Sequence, residues 1–326
     1  MTETLPSRGL RGYAGGALAG VISAGLFGFA FANAGSLFIM LAYLAAIPLF
    51  IVGLGAGVTS GAVASIVGVA GLFLARQFNF AMFFAVTYAL PAAVLAALAM
   101  RRNDVNGKKE WYSEGNLLTA ITLYPCLAFM AAFAAAVGHD GGLLAQTKSM
   151  LTQATDQFKT QLDAETLTQF TTALDYIARL LPATLGCSWI VVMIISVIVA
   201  QMTLKQQGWN LRPGFDVKQT VLPRWLVVVA AVTAMAGYLA PAPYNYLGVN
   251  LCIMFCLAYF LAGLGVVHAW AATLKGGTWI LVIYYILLAV PLPMTVIPVT
   301  LLTLFLGFSD QWIDFRRRFA GKKLGG

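Results

Sequence analysis

The sequence predicts an all-α fold, a polytopic bundle of about ten transmembrane helices. Hydrophobic residues make up 60% of the 326-residue chain and charged residues only 10%, against about 25% charged in soluble domains. The mean hydropathy is +0.83. From Tyr13 to Met100, 88 residues contain one charged side chain, Arg76. Since a membrane crossing takes roughly 20 apolar residues, this stretch alone has the length of four crossings.

Three breaks divide that stretch into helices. They fall at Asn33-Ala34-Gly35-Ser36, between Pro48 and Gly57, and at Arg76-Gln77-Phe78-Asn79. Gly, Pro and Asn are the usual interruptions of helical patterns. The breaks therefore predict helices over residues 13–32, 37–52, 56–75 and 79–99.

The first apolar run has two interpretations. Arg8 and Arg11 precede it and Ala30-Phe31-Ala32 ends it, a combination that also occurs in signal peptides. The run is about 19 residues long, whereas the apolar region of a signal peptide has about 7–15 residues. Its length favours an uncleaved first helix over a signal peptide.

Small residues recur at every fourth position around the first and third helices. Such faces let helix backbones approach closely in lipid. They predict packing between helices of this chain, with docking of another membrane protein as the alternative. The residues are Gly16, Gly20, Ala24, Gly28, Gly53, Gly57 and Gly61.

A fifth helix is predicted over residues 115–137, after a short charged loop, and residues 138–178 then form the only sizeable polar segment. That segment has five acidic and two basic residues. Its apolar residues recur at helical spacing, and Asp163 fits an N-cap. We expect two amphipathic helices lying against the membrane or over the bundle; a lid over a ligand entrance is the functional alternative.

The remaining helices are predicted over residues 180–203, 224–240 and 246–267, followed by an apolar region over 277–308. Pro291-Leu292-Pro293 divides this last region into halves of about 15 residues. Each half would be about 23 Å long, which is short for a full crossing. Two short helices and a re-entrant hairpin both fit the pattern.

The basic residues predict the orientation. With the N-terminus inside and ten segments, 16 of the 20 Lys and Arg residues fall on one face, as expected when basic loops stay cytoplasmic. The predicted regions are a cytoplasmic N-terminus (1–12), a six-helix membrane domain (13–203) that includes the extracytoplasmic segment 138–178, a cytoplasmic loop (204–223), a four-segment membrane region (224–308) and a basic amphipathic cytoplasmic tail (309–326).

The tail combines aromatic residues at helical spacing with a run of arginines. Basic residues beside anionic lipid each contribute about 1 kcal/mol of attraction. The pattern predicts a helix at the anionic inner leaflet of the bilayer. Its lipid-interface residues are Trp312, Phe315, Arg316, Arg317, Arg318 and Phe319.

No catalytic signature occurs in the sequence. It lacks a P-loop, a His-Glu-x-x-His motif and a paired Cys-x-x-Cys motif, so we expect neither an enzyme nor a cofactor. Two histidines and four scattered cysteines, all inside predicted helices, predict core packing with no metal site and no disulfide framework. The basic residues flank apolar runs, which argues against nucleic acid as a partner.

Polar residues inside the helices are the candidates for ligand contacts. No Asp or Glu falls at mid-depth in the predicted helices, where carboxylates serve proton and cation pathways. Hydroxyl and amide groups could hold an uncharged or weakly polar small molecule, although hydrogen bonds between helices explain them equally well. The candidates are Arg76, Asn79, Thr87, Tyr88, Asn245 and Asn250.

Three C-terminal stretches resemble a known family. They are Gly265-Val266-Val267-His268, Pro291-Leu292-Pro293, and Leu306-Gly307-Phe308-Ser309-Asp310-Gln311-Trp312-Ile313-Asp314-Phe315-Arg316-Arg317-Arg318. With the Gly-rich opening, they are similar to the YybS-like family of bacterial membrane proteins, catalogued as a predicted membrane domain of unknown function. That family is grouped with the substrate-binding components of energy-coupling-factor vitamin transporters and with the rod-shape protein MreD.

The resemblance implies two different functions in the bacterial cytoplasmic (inner) membrane. One is a solute-binding or permease-like subunit without its own ATPase or proton relay. The other is a non-transporting, MreD-like envelope scaffold that assembles with other membrane proteins. The binding components have about six helices, so the four predicted after residue 222 depart from that pattern.

Overall fold

The computed structural model describes residues 7–33, 36–105, 108–159, 163–290 and 292–322. Parts of the predicted termini (1–6 and 323–326), of the first break (34–35) and of the proline pair (Pro291) lie outside these residues. What is described is predominantly helical, which confirms the all-α class. A short β-hairpin is the exception.

The elements follow in chain order. Helices of the first half are α1 (Ser7–Ala32), α2 (Ser36–Leu44), α3 (Ala46–Gly55), α4 (Val58–Leu74), α5 (Phe78–Phe84), α6 (Leu90–Ala99) and α7 (Glu114–Ala136). Those of the second half are α8 (Gly142–Lys159), α9 (Ala164–Gln207), α10 (Trp225–Leu239), α11 (Tyr244–Ala271), α12 (Gly277–Ala289), α13 (Pro293–Ile313) and α14 (Phe315–Lys322). The other elements are a π-helical turn (Ala85–Ala89), the antiparallel strands β1 (Arg102–Val105) and β2 (Lys108–Trp111), and a 3-10 turn (Val217–Gln219).

Among the described residues, six helical stretches are long and apolar enough to cross a membrane, and four shorter apolar helices accompany them. The long stretches are Gly12–Ala32, Phe78–Ala99, Glu114–Ala136, Glu165–Gln207, Tyr244–Ala271 and Pro293–Ile313. The shorter ones are Met40–Gly55, Val58–Leu74, Trp225–Leu239 and Gly277–Ala289. The chain is therefore a multi-pass membrane protein, and the number of ten crossings stays a prediction.

Two compact units make up the chain: unit 1 (Met1–Ile121 and Val191–Asp216) and unit 2 (Thr122–Ile190 and Val217–Gly326). In unit 1, α1 packs along α4, and α3 packs against α4 and α6. In unit 2, α11 packs against α10, α12, α13 and α14. Half of the 28 residues of α11 are buried, so this helix forms the core of unit 2.

The region predicted as one helix over residues 37–52 is helical, but it is interrupted at Ala45 and forms two consecutive helices. α2 ends at Leu44 and α3 begins at Ala46. The Ala45 amide bonds to the Ala42 carbonyl, and the Ser23 hydroxyl of α1 donates to the Ala45 carbonyl. Pro48 has no N–H to continue the helical pattern, and it is tolerated here because it lies in the first turn of α3.

The second helix of the polar segment and the sixth helix, predicted as separate, form one continuous helix. A single helix, α9, runs for 44 residues and is about 66 Å long, which is twice the thickness of a bilayer core. Its start at Asp163 is confirmed, since the Asp163 carboxylate accepts from the Thr166 amide at 2.8 Å. α8 is paired with this first part of α9 through a Lys148–Asp175 ion pair of 2.8 Å.

Asn250 explains why α9 continues past its internal Pro182. The Asn250 Oδ1 accepts from the Ala183 amide, and its Nδ2 donates to the Arg179 carbonyl, both at 2.9 Å. These are the two groups that a regular helix would join to each other. The side chain of Asn250, on α11, therefore supports α9 beside Pro182.

The last apolar region does form two helices, but they are unequal. α12 has 13 residues and α13 has 21, so α13 is about 31 Å long and longer than the predicted half. It continues past Asp310, whose carboxylate is paired with Arg316. The helix ends at Ile313. Asp314 then adopts a left-handed conformation, and α14 starts at Phe315.

Candidate functional site

An apolar groove of about 400 Å³ lies between α1 and α4 in unit 1. Ala24, Gly25 and Gly28 of α1 form one wall, and Val67 and Gly71 of α4 contribute to the other. Both Gly25 and Gly71 are exposed. A Cβ added at either position would meet nothing within 4 Å, so the missing side chains leave open space.

The same two helices touch each other closely nearer the start of α1. A Cβ at Gly16 would lie 2.6 Å from the carbonyl oxygen of Ser60, and one at Gly20 would overlap that of Ala64. Glycine is required at these positions because the backbones are in contact. Further along α1, the open space beside Gly25, and beside Gly71 of α4, contributes to the groove.

The turn after α4 places Arg76 at one end of the groove. The Gln77 amide donates to the Leu72 carbonyl and the Arg76 amide donates to the Phe73 carbonyl, both at 3.0 Å. This pair of bonds is a Schellman motif, which usually has glycine in its left-handed position. Here Arg76 has that conformation, with a φ of 59°, at a cost of about 1–2 kcal/mol.

Residues Arg76 to Phe80 line a second depression of about 240 Å³. Gln77 and Phe80 line both this depression and the groove, so the two spaces adjoin. Arg76 and Asn79 are exposed. Among the residues that the structure describes, no carboxylate forms an ion pair with Arg76. The apolar groove thus ends beside amide groups and an uncompensated positive charge, and we call this end the basic mouth.

An aromatic cluster stands behind the basic mouth. Phe80 packs against Phe31 and Phe27 at centroid distances of 5.6 and 6.4 Å. The buried Tyr88 lies 5.8 Å from Phe27 and 6.1 Å from Phe84. These packed rings hold Phe80 in place at the end of the groove.

The structure brings together some of the predicted ligand candidates and separates others. Arg76 and Asn79 both lie at the basic mouth. Thr87 is half-buried in the π-helical turn and Tyr88 lies in the aromatic cluster, so neither lines the groove. In unit 2, Asn245 accepts from the amide of the next residue.

Asn250, also in unit 2, is fully buried and has its polar atoms bonded to protein. Besides its two bonds to α9, its Nδ2 donates to the Tyr246 carbonyl at 2.8 Å. This residue supports the packing of unit 2. The sequence analysis missed Gly25, Gly71, Gln77 and Phe80, whose role depends on how the helices cross.

Small-residue positions outside the groove are also used within the chain. A Cβ at Gly61 would lie 2.8 Å from the Cα of Gly53, so these two glycines bring α3 and α4 together. Gly57, with a φ of 104°, forms the turn before α4. Ala24 and Gly28, by contrast, line the groove.

The predicted lipid-interface residues do not share one helix, because the chain breaks at Asp314. Trp312, at the end of α13, is exposed, as are Arg317 and Arg318. The rings of Phe315 and Phe319 are half-buried and stack at 6.2 Å. Their contact with lipid stays a prediction.

Arg316 differs from its neighbours because its side chain is largely buried. It forms an ion pair of 3.1 Å with Asp310. It also donates to the carbonyls of Lys218 and Ala262, at 3.1 and 2.7 Å. Arg316 therefore joins α13, α11 and the 3-10 turn within unit 2.

Unit 1 contains a similar buried arginine that the sequence analysis missed. Arg212 forms an ion pair of 3.2 Å with Glu114. It donates to the carbonyls of Ala99 and Tyr112 at 3.0 and 2.9 Å. Burial lowers the pKa of Arg212 while Glu114 raises it, but a guanidinium with a reference pKa above 12 stays charged. The loop after α9 is held to the end of α6 by this residue.

Comparison with known proteins identifies a family. Residues 21–306 match the model of a family described as "Predicted membrane protein (DUF2232)". No curated protein and no solved structure matches the chain. Since the family match covers most of the sequence, the chain belongs to this family of predicted membrane proteins.

Proposed function

We propose that this protein is a membrane-embedded, permease-like binding subunit that takes up a small molecule in the groove of unit 1. The observation that carries the proposal is the groove of about 400 Å³ with the basic mouth at its end. Ligand sites commonly have about 300–1,000 Å³, mostly apolar walls and a few polar groups. The groove has these properties, and an amphiphilic molecule would match its two parts.

The energy for any transport would come from a partner protein. The sequence has no P-loop for ATP. Asp310 is a buried carboxylate inside a candidate span, but it lies near the end of α13, away from mid-depth, and is paired with Arg316.

The proposed topology has ten crossings with both termini on the cytoplasmic side of a bacterial inner membrane. The distribution of 16 basic residues on one side and four on the other supports it. Cysteine substitution tests it at two exposed positions, Lys205 at the end of α9 and Gln153 on α8. An impermeant thiol reagent should label Gln153→Cys in intact cells and Lys205→Cys only after lysis. The opposite pattern would invert the topology.

The MreD-like scaffold is the less favoured alternative. It would use small-residue faces to dock other membrane proteins. Gly16, Gly20, Gly53 and Gly61 are instead used in contacts among α1, α3 and α4. An enzymatic activity is not proposed, because the sequence offers no motif for one.

Filling the groove tests the proposed function. Gly25→Leu and Gly71→Leu place a side chain in open space, and Leu favours a helix over Gly by up to about 1 kcal/mol. Both variants should fold. Gly15→Leu is the matched control, since Gly15 is exposed on α1, has nothing within 4 Å of its added Cβ and does not line the groove.

A photoactivatable long-chain alcohol is a suitable probe, because it has an apolar chain and an uncharged polar end. We expect it to label residues of α1 and α4 in the purified protein and in Gly15→Leu. Labelling should fall several-fold in the two groove-filling variants. Equal labelling in all four proteins would show that the groove is not the binding site.

A further inference from the structure

The dimensions of the groove limit what can fill it. From Val21 to Ala32 it follows 12 residues of α1, or about 17 Å of helix. Its volume of about 400 Å³ over that length gives a mean width of roughly 5–6 Å. A helix with its side chains is about 10–12 Å wide. Carbon atoms in contact lie about 3.5–4.0 Å apart, so the groove has room for one hydrocarbon chain.

The groove opens sideways, along the exposed surface of α1 and α4. Val21 and Phe29 on its rim are 59% and 52% exposed. In a membrane-crossing helix such as α1, exposed apolar side chains face the hydrocarbon tails of lipids. A molecule already in the bilayer can therefore enter the groove sideways, without passing through water.

The positive charge of the basic mouth favours an occupant with an anionic group at that end. Arg76 is the single charged residue between Tyr13 and Met100, and no described carboxylate neutralises it. An anion placed in the adjoining depression would meet this guanidinium and the amides of Gln77 and Asn79. Guanidinium groups bind phosphate through paired hydrogen bonds.

The conformation of Arg76 is a second, independent observation. Glycine would adopt the left-handed position of this turn without strain, yet an arginine is present with a φ of 59°. Strained backbone of this kind is often found at binding sites. Among the described residues, no carboxylate forms an ion pair with the Arg76 side chain, so that side chain can contribute outside the turn.

We propose that the occupant of the groove is an anionic phospholipid of the surrounding bilayer, with an acyl chain between α1 and α4 and its phosphate at Arg76. The proposal rests on the proposed function, since it names the ligand class of the same site. Charge complementarity at the basic mouth and the width of the groove distinguish this occupant from a protein helix.

Photoactivatable phosphatidylglycerol and phosphatidylcholine with the same acyl chains test the proposal in detergent-solubilised protein. We expect phosphatidylglycerol to label residues of α1 and α4 about fivefold more than phosphatidylcholine. This factor corresponds to the attraction of about 1 kcal/mol between one basic residue and an anionic lipid. The ratio should fall to about one in Arg76→Gly and persist in Arg76→Lys. Because glycine suits the turn, Arg76→Gly should melt at the wild-type temperature or above.

The outcomes separate the two proposals. If both lipids label the groove equally and Arg76→Gly changes nothing, the anionic preference is wrong while labelling by the long-chain alcohol still supports the proposed function. If neither lipids nor alcohol label the groove, both proposals fail. A photo-crosslink from position 29 to a second copy of the chain, in place of lipid, would identify a protein as the occupant and overturn the inference.

Discussion

The helices inside unit 1 and the helices inside unit 2 of this membrane protein are held together by different kinds of contact. In unit 1, α1 and α4 touch through backbone at Gly16 and Gly20, and among the described residues only a few polar side chains, such as Ser23 and Ser65, bond to the backbone of a neighbouring element. In unit 2, side chains inside apolar helices join one helix to another. These links are Asn250 to Arg179 and Ala183, Tyr284 to Thr303 at 2.6 Å, and Gln311 to Tyr259 at 3.2 Å.

This difference shows where a ligand site can exist. A polar group in lipid is costly unless it is bonded, so the polar side chains of unit 2 are used to fix its helices. Unit 1 depends on small residues, whose close contact at one place leaves open space at another. Arg76, the single charged residue between Tyr13 and Met100, forms no ion pair with any carboxylate that the structure describes, so its charge can act on something outside the protein.

Each unit also contains one buried arginine paired with a carboxylate. Both arginines, Arg212 and Arg316, donate to two backbone carbonyls as well. The largest effect should therefore come from breaking these pairs. Removing one partner of a buried pair typically costs about 3–5 kcal/mol, because the other charge is left buried alone.

We expect Arg316→Met to lower the melting temperature in detergent strongly, and Arg212→Met to do so by a similar amount. The double variants Asp310→Leu/Arg316→Met and Glu114→Leu/Arg212→Met should recover most of the loss, since no buried charge remains. A double variant as unstable as its single variant would show that the backbone carbonyls, and not the ion pair, determine the stability.

Close glycine contacts occur in both units, so a larger side chain at these glycines should destabilise either unit. In this respect the two units are alike. A Cβ at Gly20 would overlap the Ala64 carbonyl, and one at Gly263 would overlap the Thr303 carbonyl. We expect Gly20→Val and Gly263→Val each to cost about 1–3 kcal/mol through overpacking. Gly15→Val is the control with free space. Tolerance of Val at Gly20 would mean that α1 and α4 do not require close contact.

The helices were predictable from the sequence because a bilayer demands long apolar runs. The errors occur where a distant side chain decides the outcome. Nothing near Pro182 in the sequence indicates that Asn250, in another helix, will support α9. The hairpin had a readable signal, since Asn106-Gly107 is a common two-residue turn, although that pair itself lies outside the described residues.

The groove could be predicted only in part. Arg76 was selected as a candidate because it is the lone charge of a long apolar stretch. Gly25 and Gly71 could not be identified, since the spacing of small residues shows which faces are small but not where two helices cross. The same limit explains why Asn250 was a ligand candidate, as a buried amide and a ligand-binding amide look alike in sequence.

Polar links inside the helices should contribute less than the ion pairs, and more in unit 2 than in unit 1. Asn250→Leu removes two bonds to α9, with an expected cost of about 1–2 kcal/mol. Ser65→Ala removes one bond, from the Ser65 hydroxyl to the Ala89 carbonyl at 2.9 Å, with an expected cost of about 0.6 kcal/mol. Melting temperatures in detergent measure both. A larger loss for Ser65→Ala would reverse the comparison.

The smallest effect concerns the start of α9 in unit 2, where Asp163 caps the helix outside the membrane spans. Hydrogen bonds from Thr166 hold the pKa of Asp163 below its usual value. The bond from the Thr166 amide contributes most, and the bond from the Thr166 side chain contributes less. Because the folded pKa is the lower one, the ionised carboxylate stabilises the helix end above the unfolded pKa of about 3.9. This contribution is lost as the pH falls through the lowered folded value.

Hydrogen exchange of the first turn of α9, corrected for the intrinsic pH dependence of exchange, measures this effect. Protection should decrease in the wild type as the pH is lowered from 6 toward 3. In Asp163→Asn, whose amide oxygen still accepts from the Thr166 amide but does not titrate, protection should be nearly independent of pH. An equal pH dependence in both proteins would assign it to another group, and protection deeper in α9 should not change in either case, because the cap acts only on the first turn.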